Sequence, residues 1–349
     1  MQLFSHDLGI DLGTSNVLIY VEGSGVVSRE PSVVAVDRTS GRILQVGSAA
    51  HNMLGRTPGN VVAMHPLKDG VISDHEMTVK MLQHLFRVSS KSSLFTPKPR
   101  VVVSVPSGIT EVEERTVINA VIEAGARRVY LIEEPLAAGL GAGLDISGPK
   151  GHMVVDIGAG TTDVAILTMN GVAVSSSIKV GGNYMDDAIM KQLRRSLGII
   201  VGQTTAEELK IQIGSAYEHG ENLSIAVKGR DVKNGAPREV VVTTEHLSAP
   251  IQKAVRAIYD EIVSVLEDAS AELVSDVAEN GITLTGGGSQ LTGLAQVLQE
   301  RMNIPFSVAD DPASCVAYGC GKSLSWINHM TEGPINIARK RLLRSRTQG

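Results

Sequence analysis

Residues 10–19 read IDLGTSNVLI, and residues 155–166 read VDIGAGTTDVAI. In both stretches a short apolar run contains an aspartate, a turn of glycine and hydroxyl residues follows, and a second apolar run begins. Each stretch therefore predicts a β-hairpin with a tight turn. Glycine turns at 22–25 and 169–171 then lead into a third apolar stretch. One such string arises easily by chance, but two that open halves of similar size predict duplicated domains that face a shared cleft.

The rest of the pattern mixes strands and helices, which is typical of α/β layering. Thr110 and Glu113 have the spacing of a capping box at the start of a helix. The strand before the triple glycine at 286–288 runs directly into it. We predict buried strands at 100–105, 129–132 and 282–285, and helices at 110–124, 205–213 and 247–273.

The chain of 349 residues is too long for one ordinary core and predicts about two domains. No apolar run reaches the roughly 18 residues of a spanning helix, and the N-terminal residues are too few and too polar for a signal peptide. Cys315 and Cys320 lack metal-ligand spacing and predict buried thiols in a reducing cytosol. The net charge of −5 gives no argument for nucleic acid as a partner, although residues 339–349 carry five basic residues and no acidic one.

The two predicted turns have the composition of a phosphate-binding site. Glycine lets a ligand approach the backbone closely, and consecutive N–H groups in a tight turn bind anions. Hydroxyl side chains in both turns would add donors. Asp11 and Asp156 would repel a phosphate unless a cation lies between them, and Mg²⁺ held by carboxylates, water and phosphate resolves that conflict. We therefore expect a magnesium nucleotide between the hairpins, although either motif alone also fits an ordinary β-turn.

These motifs resemble those of the superfamily of actin, heat-shock chaperones and sugar kinases. Four segments resemble its nucleotide motifs: the first phosphate motif at 11–16, the first connecting segment at 132–135, the second phosphate motif at 156–163 and the adenosine motif at 284–289. Three more segments are characteristic of the MreB family within it: 30–35, 54–59 and 69–72. The resemblance extends over about residues 5–325.

The resemblance implies an α/β, actin-like ATPase fold, in which two duplicated ribonuclease-H-like domains enclose a nucleotide cleft and each carries a smaller subdomain. The implied segments are domain I at 1–140 with its subdomain at about 33–66, domain II at 141–311 with its subdomain at about 180–244, a final helix at 312–328 that returns to domain I, and a basic tail at 329–349.

Residue roles follow from the same resemblance. Glu134 matches the carboxylate that positions or activates the attacking water, with Thr161 beside the terminal phosphate and Asp156 as the third catalytic residue. Asp11 and Asp156 match the acids that hold Mg²⁺ through water. Glu207 and Lys210, one helical turn apart on one face, match a pair that touches ribose and adenine. The residues expected around ATP are Gly13, Thr14, Ser15, Asn16, Gly158, Ala159, Gly160, Thr161, Thr162, Glu207, Glu208, Leu209, Lys210, Gly286, Gly287, Gly288 and Ser289.

Two positions depart from the family pattern. The family usually has a glycine where this chain has Ala159 and an acid where it has Gln212. An alanine is tolerated if its φ angle is negative. We therefore expect a slow ATPase whose hydrolysis is coupled to polymerisation.

The resemblance also implies surfaces and partners. Leu94 and Phe95 lie in a serine- and proline-flanked loop where the family places its membrane-inserting residues, and the basic tail is a second candidate anchor. Family members form paired antiparallel protofilaments, with the helix around Val112 implicated in pairing. They act on the inner face of the cytoplasmic membrane with proteins of the RodZ and MreC type, where they organise cell-wall synthesis and maintain rod shape.

Two other functions share this fold, namely a chaperone-type nucleotide switch and a sugar kinase. A chaperone would need a peptide-binding domain after the ATPase, and only about two dozen residues follow Ser325. A kinase would need an acidic base for a substrate hydroxyl and a sugar pocket, and we find no additional motif that demands one. The sequence does not separate the MreB type from the Mbl type.

Overall fold

The structure is a computed structural model that describes residues 7–89, 97–217 and 221–327 and the backbone of 335–336. The elements of the first half are β1 (Leu8–Leu12), β2 (Asn16–Val21), β3 (Gly25–Pro31), β4 (Val34–Asp37), β5 (Ile43–Val46), α1 (Ser48–His51), β6 (Val61–Met64), β7 (Leu67–Lys68), β8 (Val71–Ile72), α2 (His75–Ser89), β9 (Arg100–Val105), α3 (Glu111–Ala124), β10 (Arg128–Glu133) and α4 (Glu134–Gly141).

The second half adds short 3₁₀ turns at Gly287–Gln290 and Pro312–Ser314. Its other elements are β11 (His152–Ile157), β12 (Thr162–Thr168), β13 (Gly171–Ile178), α5 (Gly182–Ser196), β14 (Ile199–Ile200), α6 (Gln203–Ile213), β15 (Ser224–Asp231), β16 (Pro237–Thr243), α7 (Thr244–Asp268), α8 (Ala271–Asn280), β17 (Ile282–Thr285), α9 (Leu294–Met302), β18 (Phe306–Val308), α10 (Cys315–Ile327) and β19 (Ile335–Asn336).

Both predicted hairpins are present, and they open two sheets of the same local topology. The six-stranded sheet has the order β19-β10-β9-β1-β2-β3, and the five-stranded sheet has the order β13-β12-β11-β17-β18. In each sheet the first hairpin strand pairs antiparallel with the second and parallel with a later strand, β9 or β17. The pairing of the second and third strands is irregular in both, at Ile19/Tyr20 and at Ile166/Leu167. This repeated arrangement confirms the mixed α/β fold, while the exact domain borders stay a prediction.

The core lies on both faces of the sheets. Val101, Val102 and Val103 of β9 are fully buried, as expected for a central parallel strand covered on both sides. Helices α4 and α10 cross in direct contact between the two sheets. Glycine makes this crossing possible, because a Cβ on Gly141 or Gly319 would lie 1.8 Å from a backbone oxygen of the other helix. Helix α10, near the end of the chain, therefore packs tightly against α4, which precedes the second half of the chain.

The start of α3 shows how the sequence sets a helix boundary. The Thr110 hydroxyl accepts from the Glu113 N–H, and the Glu113 carboxylate accepts from the Thr110 N–H at 2.9 Å. The predicted capping box is confirmed. We expect Thr110→Ala to lower the free energy of unfolding by about 1 kcal/mol, measured by urea denaturation. Thr116→Ala is the control within the same helix, because that hydroxyl only donates to the Val112 carbonyl. An equal loss in both variants would contradict a specific role for the cap.

One predicted helix was wrong. The sequence pattern at 247–273 predicted a single long helix, but the structure has α7 and α8 in its place. Ala269 adopts an extended conformation at the end of α7, and the Ser270 hydroxyl then caps α8 by accepting from the Leu273 N–H. The serine hydroxyl accepts from one of the backbone N–H groups that the first turn of a helix leaves unpaired. The spacing of apolar residues does not reveal such a break. None of the helices in the described ranges combines the length and apolar character needed to cross a membrane.

Candidate nucleotide-binding site

A cavity of about 420 Å³ lies where the turns of the two hairpins face each other. This volume is within the range of small-molecule sites. The residues that line it come from both sheets and from α4, α5, α6 and α10. They are Asp11, Gly13, Thr14, Ser15, Asn16, Leu18, Arg29, Gly70, Glu134, Asp156, Gly158, Ala159, Gly160, Thr161, Gly182, Met185, Glu207, Lys210, Ile211, Gly286, Gly287, Gly288, Gln290, Leu291, Thr292, Pro312, Ala313 and Val316.

The second turn is held by backbone contacts that leave no room for larger residues. The Gly158 N–H donates to the Thr161 carbonyl at 2.9 Å, and the Gly158 carbonyl accepts from the Gly182 N–H at 3.0 Å. A Cβ on Gly181 would lie 2.6 Å from the Gly158 oxygen. Ala159 is not among the described non-glycine residues with positive φ. Its methyl group therefore introduces no backbone strain, and the turn keeps its shape despite this departure from the family pattern.

A third loop joins the two turns. The tip of the β7–β8 hairpin, Asp69–Gly70, lies between them, and the Gly70 N–H donates to the Thr14 hydroxyl at 2.9 Å. A Cβ on Gly160 would lie 2.7 Å from that hydroxyl and 3.0 Å from the Asp69 Cα. Sequence reasoning noted the segment 69–72 as characteristic of a family but assigned it no role. The structure brings Gly70 into the cavity wall.

Three acidic side chains converge on the cavity. Burial raises the pKa of Asp11 and of Asp156 to about 7. Burial also raises the pKa of Glu134 well above its usual value, and the charges of Asp163, Asp11 and Asp156 raise it further. The Thr285 hydroxyl donates to Asp156 at 2.7 Å and opposes part of that rise. The three acids therefore repel one another in a place that disfavours negative charge.

This donor set fits a magnesium nucleotide. Mg²⁺ is usually held by one or two carboxylates, water and substrate phosphates, and Asp11 and Asp156 supply two carboxylates. A cation between them would offset the burial penalty that raises their pKa values. The glycine turns on either side offer backbone N–H groups to phosphate oxygens.

Glu134 is the first residue of α4 and is 9% exposed. Behind it lies Asp163, a buried carboxylate that accepts from the Ser107 N–H at 3.0 Å. Burial raises the pKa of Asp163 to about 6, and the Ser107 N–H lowers it in opposition. The sequence motif included Asp163 without a role. Its position makes it part of the carboxylate cluster.

Another part of the cavity wall has the features of a nucleoside pocket. Glu207 and Lys210 of α6 face it together, as their spacing predicted. The Lys210 ammonium lies 2.8 Å from Asp186, whose side chain is 1% exposed. Gly286 has a φ of 76°, and a Cβ there would lie 2.3 Å from the Ile157 oxygen. The triple glycine therefore packs closely against the end of β11.

Four predicted residues do not line the cavity. Thr162 is buried and donates to the Val180 carbonyl at 2.6 Å, and Ser289 is buried and donates to the Gly286 carbonyl at 2.7 Å. Leu209 belongs to the hydrophobic core. Glu208 lines a smaller cavity of about 320 Å³ between α6 and β15, together with Leu209 and Gln212. Neighbouring residues of a motif point to opposite sides of the backbone, and the motif alone does not show which of them face the cavity.

Other residues of interest were missed or lie elsewhere. Arg29, Gly70 and Met185 line the cavity, although sequence reasoning gave them no place in the site. Arg29 directly precedes the family segment 30–35 and Gly70 lies within 69–72, whereas Met185 had no such signal. Leu94 and Phe95, predicted to contact a membrane, lie outside the described residues, as does the basic tail apart from the backbone of 335–336.

Comparison with known proteins finds relatives over nearly the whole chain. A family profile described as MreB/Mbl protein matches residues 5–332, a range that contains every lining residue. The chain is 48% identical over 330 residues to the cell shape-determining protein MreB of Escherichia coli strain K12, with 93% of this chain and 95% of that protein covered. It is 44% identical over 322 residues to the cell shape-determining protein Mbl of Bacillus subtilis strain 168, with 92% and 96% covered.

A solved structure has the same fold as this chain. The crystal structure of MreB5 of Spiroplasma citri bound to AMPPNP matches with a TM-score of 0.88 at 37% identity. The match covers 93% of this chain and 97% of that chain. The fold is therefore shared over nearly the full length of both proteins.

Proposed function

This chain belongs to the MreB/Mbl family, and on that premise we propose that it is an ATP-dependent, membrane-associated filament protein that organises cell-wall synthesis and maintains rod shape. Its fold is the actin-like ATPase fold. The observation that carries the proposal is the cavity in which two duplicated glycine turns and the carboxylates of Asp11, Glu134 and Asp156 face one another. That combination suits a magnesium nucleotide and little else of comparable size.

ATP is the ligand that we propose for the cavity. MreB5 of Spiroplasma citri has been solved with AMPPNP and with ADP, and the cavity of this chain supplies a site for each part of such a nucleotide. In our proposal Glu207 and Lys210 contact ribose and adenine beside the triple glycine. The turns around Thr14 and Gly158 then hold the phosphates.

The same geometry supports slow hydrolysis. We propose that Glu134 orients the attacking water and accepts its proton, and that Thr161 donates to the terminal phosphate. Burial among carboxylates raises the pKa of Glu134 and so favours its protonated form in the nucleotide-free protein, and a protonated acid cannot accept a proton. When bound, Mg²⁺ neutralises phosphate charge and favours the ionised form of the acids around it. Catalysis should therefore depend on a fully assembled site, which is consistent with hydrolysis stimulated by polymerisation.

Filament formation and membrane contact belong to the proposal as well. We propose that copies of the chain assemble into paired antiparallel protofilaments on the inner face of the cytoplasmic membrane, with RodZ- and MreC-type proteins as partners. Burial of Leu94 and Phe95 in lipid would contribute about 3–6 kcal/mol at most. About 4 kcal/mol corresponds to a millimolar dissociation constant. A monomer would bind weakly and a filament tightly, since many copies act together.

Light scattering and electron microscopy test this function. We expect Mg·ATP with anionic vesicles to increase scattering several-fold over ATP with EDTA, and to give filaments on a lipid monolayer, because multivalent attachment favours assembly. A Leu94→Ser, Phe95→Ser variant should keep nucleotide binding but lose vesicle sedimentation. A chain that binds Mg·ATP, stays monomeric on lipid and phosphorylates a sugar would contradict the filament proposal and support the kinase alternative.

A further inference from the structure

The side chains that line the cavity carry more negative than positive charge. Among its described lining residues four are acidic and two are basic, namely Asp11, Glu134, Asp156 and Glu207 against Arg29 and Lys210. A nucleoside triphosphate would add several more negative charges. How its phosphates are held therefore depends on which of the two cations is available to them.

Lys210 is committed to other groups. Its ammonium pairs with Asp186 at 2.8 Å and donates to the Gly182 carbonyl at 3.1 Å. Asp186 is almost fully buried, so withdrawal of Lys210 would leave a buried charge without its ion-pair partner. Lys210 is therefore expected to stay with Asp186 when a ligand binds.

Arg29 is held much more loosely. Its guanidinium lies 3.5 Å from Asp311, and the two side chains are 48% and 54% exposed. An exposed ion pair of this length contributes little to stability, so the guanidinium can take up a second anion beside Asp311 at small cost. The guanidinium has five N–H donors, and the contacts with Asp311 and with the Ser314 hydroxyl leave donors for a further acceptor.

The position of Arg29 joins the two halves of the chain. It belongs to β3, at the edge of the six-stranded sheet, whereas Asp311 and Ser314 follow β18 of the five-stranded sheet. Arg29 lies directly across from Leu18 of β2, which lies directly across from Asp11 of β1, and all three residues line the cavity. The guanidinium is therefore on the same face of the sheet as the Asp11 carboxylate, where the phosphates would lie.

We propose that Arg29 is a phosphate-binding side chain of this cavity, aimed by Asp311 and Ser314, so that a bound nucleotide ties the two halves of the chain together. The inference rests on the proposed nucleotide site and assigns a new residue to it. Arginine suits the role because its planar fork can donate two parallel bonds to one phosphate. The contact would select for phosphorylated ligands without contacting the base.

Calorimetry with ATP, ADP and adenosine tests the assignment. Arg29→Gln keeps most of the side chain's length and can still bond Ser314, but it removes the charge. We expect its affinity for Mg·ATP and Mg·ADP to fall about tenfold or more, while its affinity for adenosine changes less than about twofold, because only the phosphates lose a charged partner. Arg29→Lys should recover part of the loss, since it restores charge without the fork.

Two further measurements separate phosphate binding from a merely structural role. The affinity of the unmodified chain for Mg·ATP should fall with added salt more steeply than that of Arg29→Gln, because screening acts on the charge pair. Ser314→Ala retains the charge and should lower Mg·ATP affinity by about threefold, through poorer aim of the guanidinium. Equal salt dependence in Arg29→Gln and the unmodified chain would overturn the assignment.

Arg256→Gln is the matched control. Arg256 lies on α7, is 79% exposed, pairs with Asp260 at 3.9 Å and does not line the cavity. Its loss should leave all three affinities unchanged. Unchanged Mg·ATP affinity in Arg29→Gln, or an equal loss for adenosine, would overturn the inference. Failure of the unmodified chain to bind Mg·ATP would instead overturn the proposed function.

Discussion

Glu134→Gln is expected to slow ATP hydrolysis by about 100-fold or more while leaving the affinity for Mg·ATP within about threefold. The amide has nearly the shape of the carboxylate and can still orient water, but it cannot accept a proton. The amide is neutral, like the protonated acid that burial favours, so nucleotide binding should not suffer. Single-turnover phosphate release measures the rate, and calorimetry measures the affinity. Because assembly is expected to stimulate hydrolysis, the variants are compared at equal polymer mass.

The neighbouring acid provides the control. Glu133 precedes Glu134 directly and accepts from the Ser107 hydroxyl at 3.2 Å, but it does not line the cavity. Glu133→Gln can keep that hydrogen bond, and we expect its hydrolysis rate to stay within about twofold of the unmodified chain. If both variants hydrolyse ATP equally well, the role assigned to Glu134 is wrong.

The features predicted from the sequence are those encoded by short, local patterns. The hairpin at residues 10–19 and its counterpart at 155–166 form where alternation of apolar runs and glycine turns placed them. The capping box at Thr110 marks the start of α3. The turn glycines and the two aspartates then meet in one cavity, because equivalent turns of duplicated hairpins face each other. Local chemistry and duplication were enough for this part of the site.

The parts that were missed depend on contacts between distant segments. Arg29 enters the site beside Ser314, which is 285 residues away, and Gly70 enters through the hydroxyl of Thr14. No local pattern encodes either contact. The direction of each side chain within a motif could not be predicted from the sequence either. Thr162 and Leu209 are buried away from the cavity, although their neighbours line it. The break at Ala269 followed from a single serine cap within a continuous apolar pattern.

The buried carboxylates lower the free energy of unfolding of the nucleotide-free protein at neutral pH. Asp156 has a pKa of about 7 in the folded protein, against an ordinary value of 3.8. Between those pH values the unfolded chain has released the proton that the folded chain still holds. The free energy of unfolding therefore falls as pH rises from about 4 to about 7, and the deficit persists at higher pH. Such a loss of stability is consistent with a site whose carboxylates are suited to bind a cation.

Asp156→Asn is therefore expected to raise the free energy of unfolding of the nucleotide-free protein at pH 8 by on the order of 2–4 kcal/mol, and to change it little near pH 4. The same variant should lose most of the stabilisation that Mg·ATP gives the unmodified chain, which is about 2.7 kcal/mol at a ligand concentration 100 times the dissociation constant. Urea denaturation at both pH values, with and without Mg·ATP, measures the two effects. Asp260→Asn is the control, because that side chain is 62% exposed on α7. A variant of Asp156 that is less stable at pH 8, yet still stabilised by Mg·ATP, would show that the carboxylate serves the fold and not the metal.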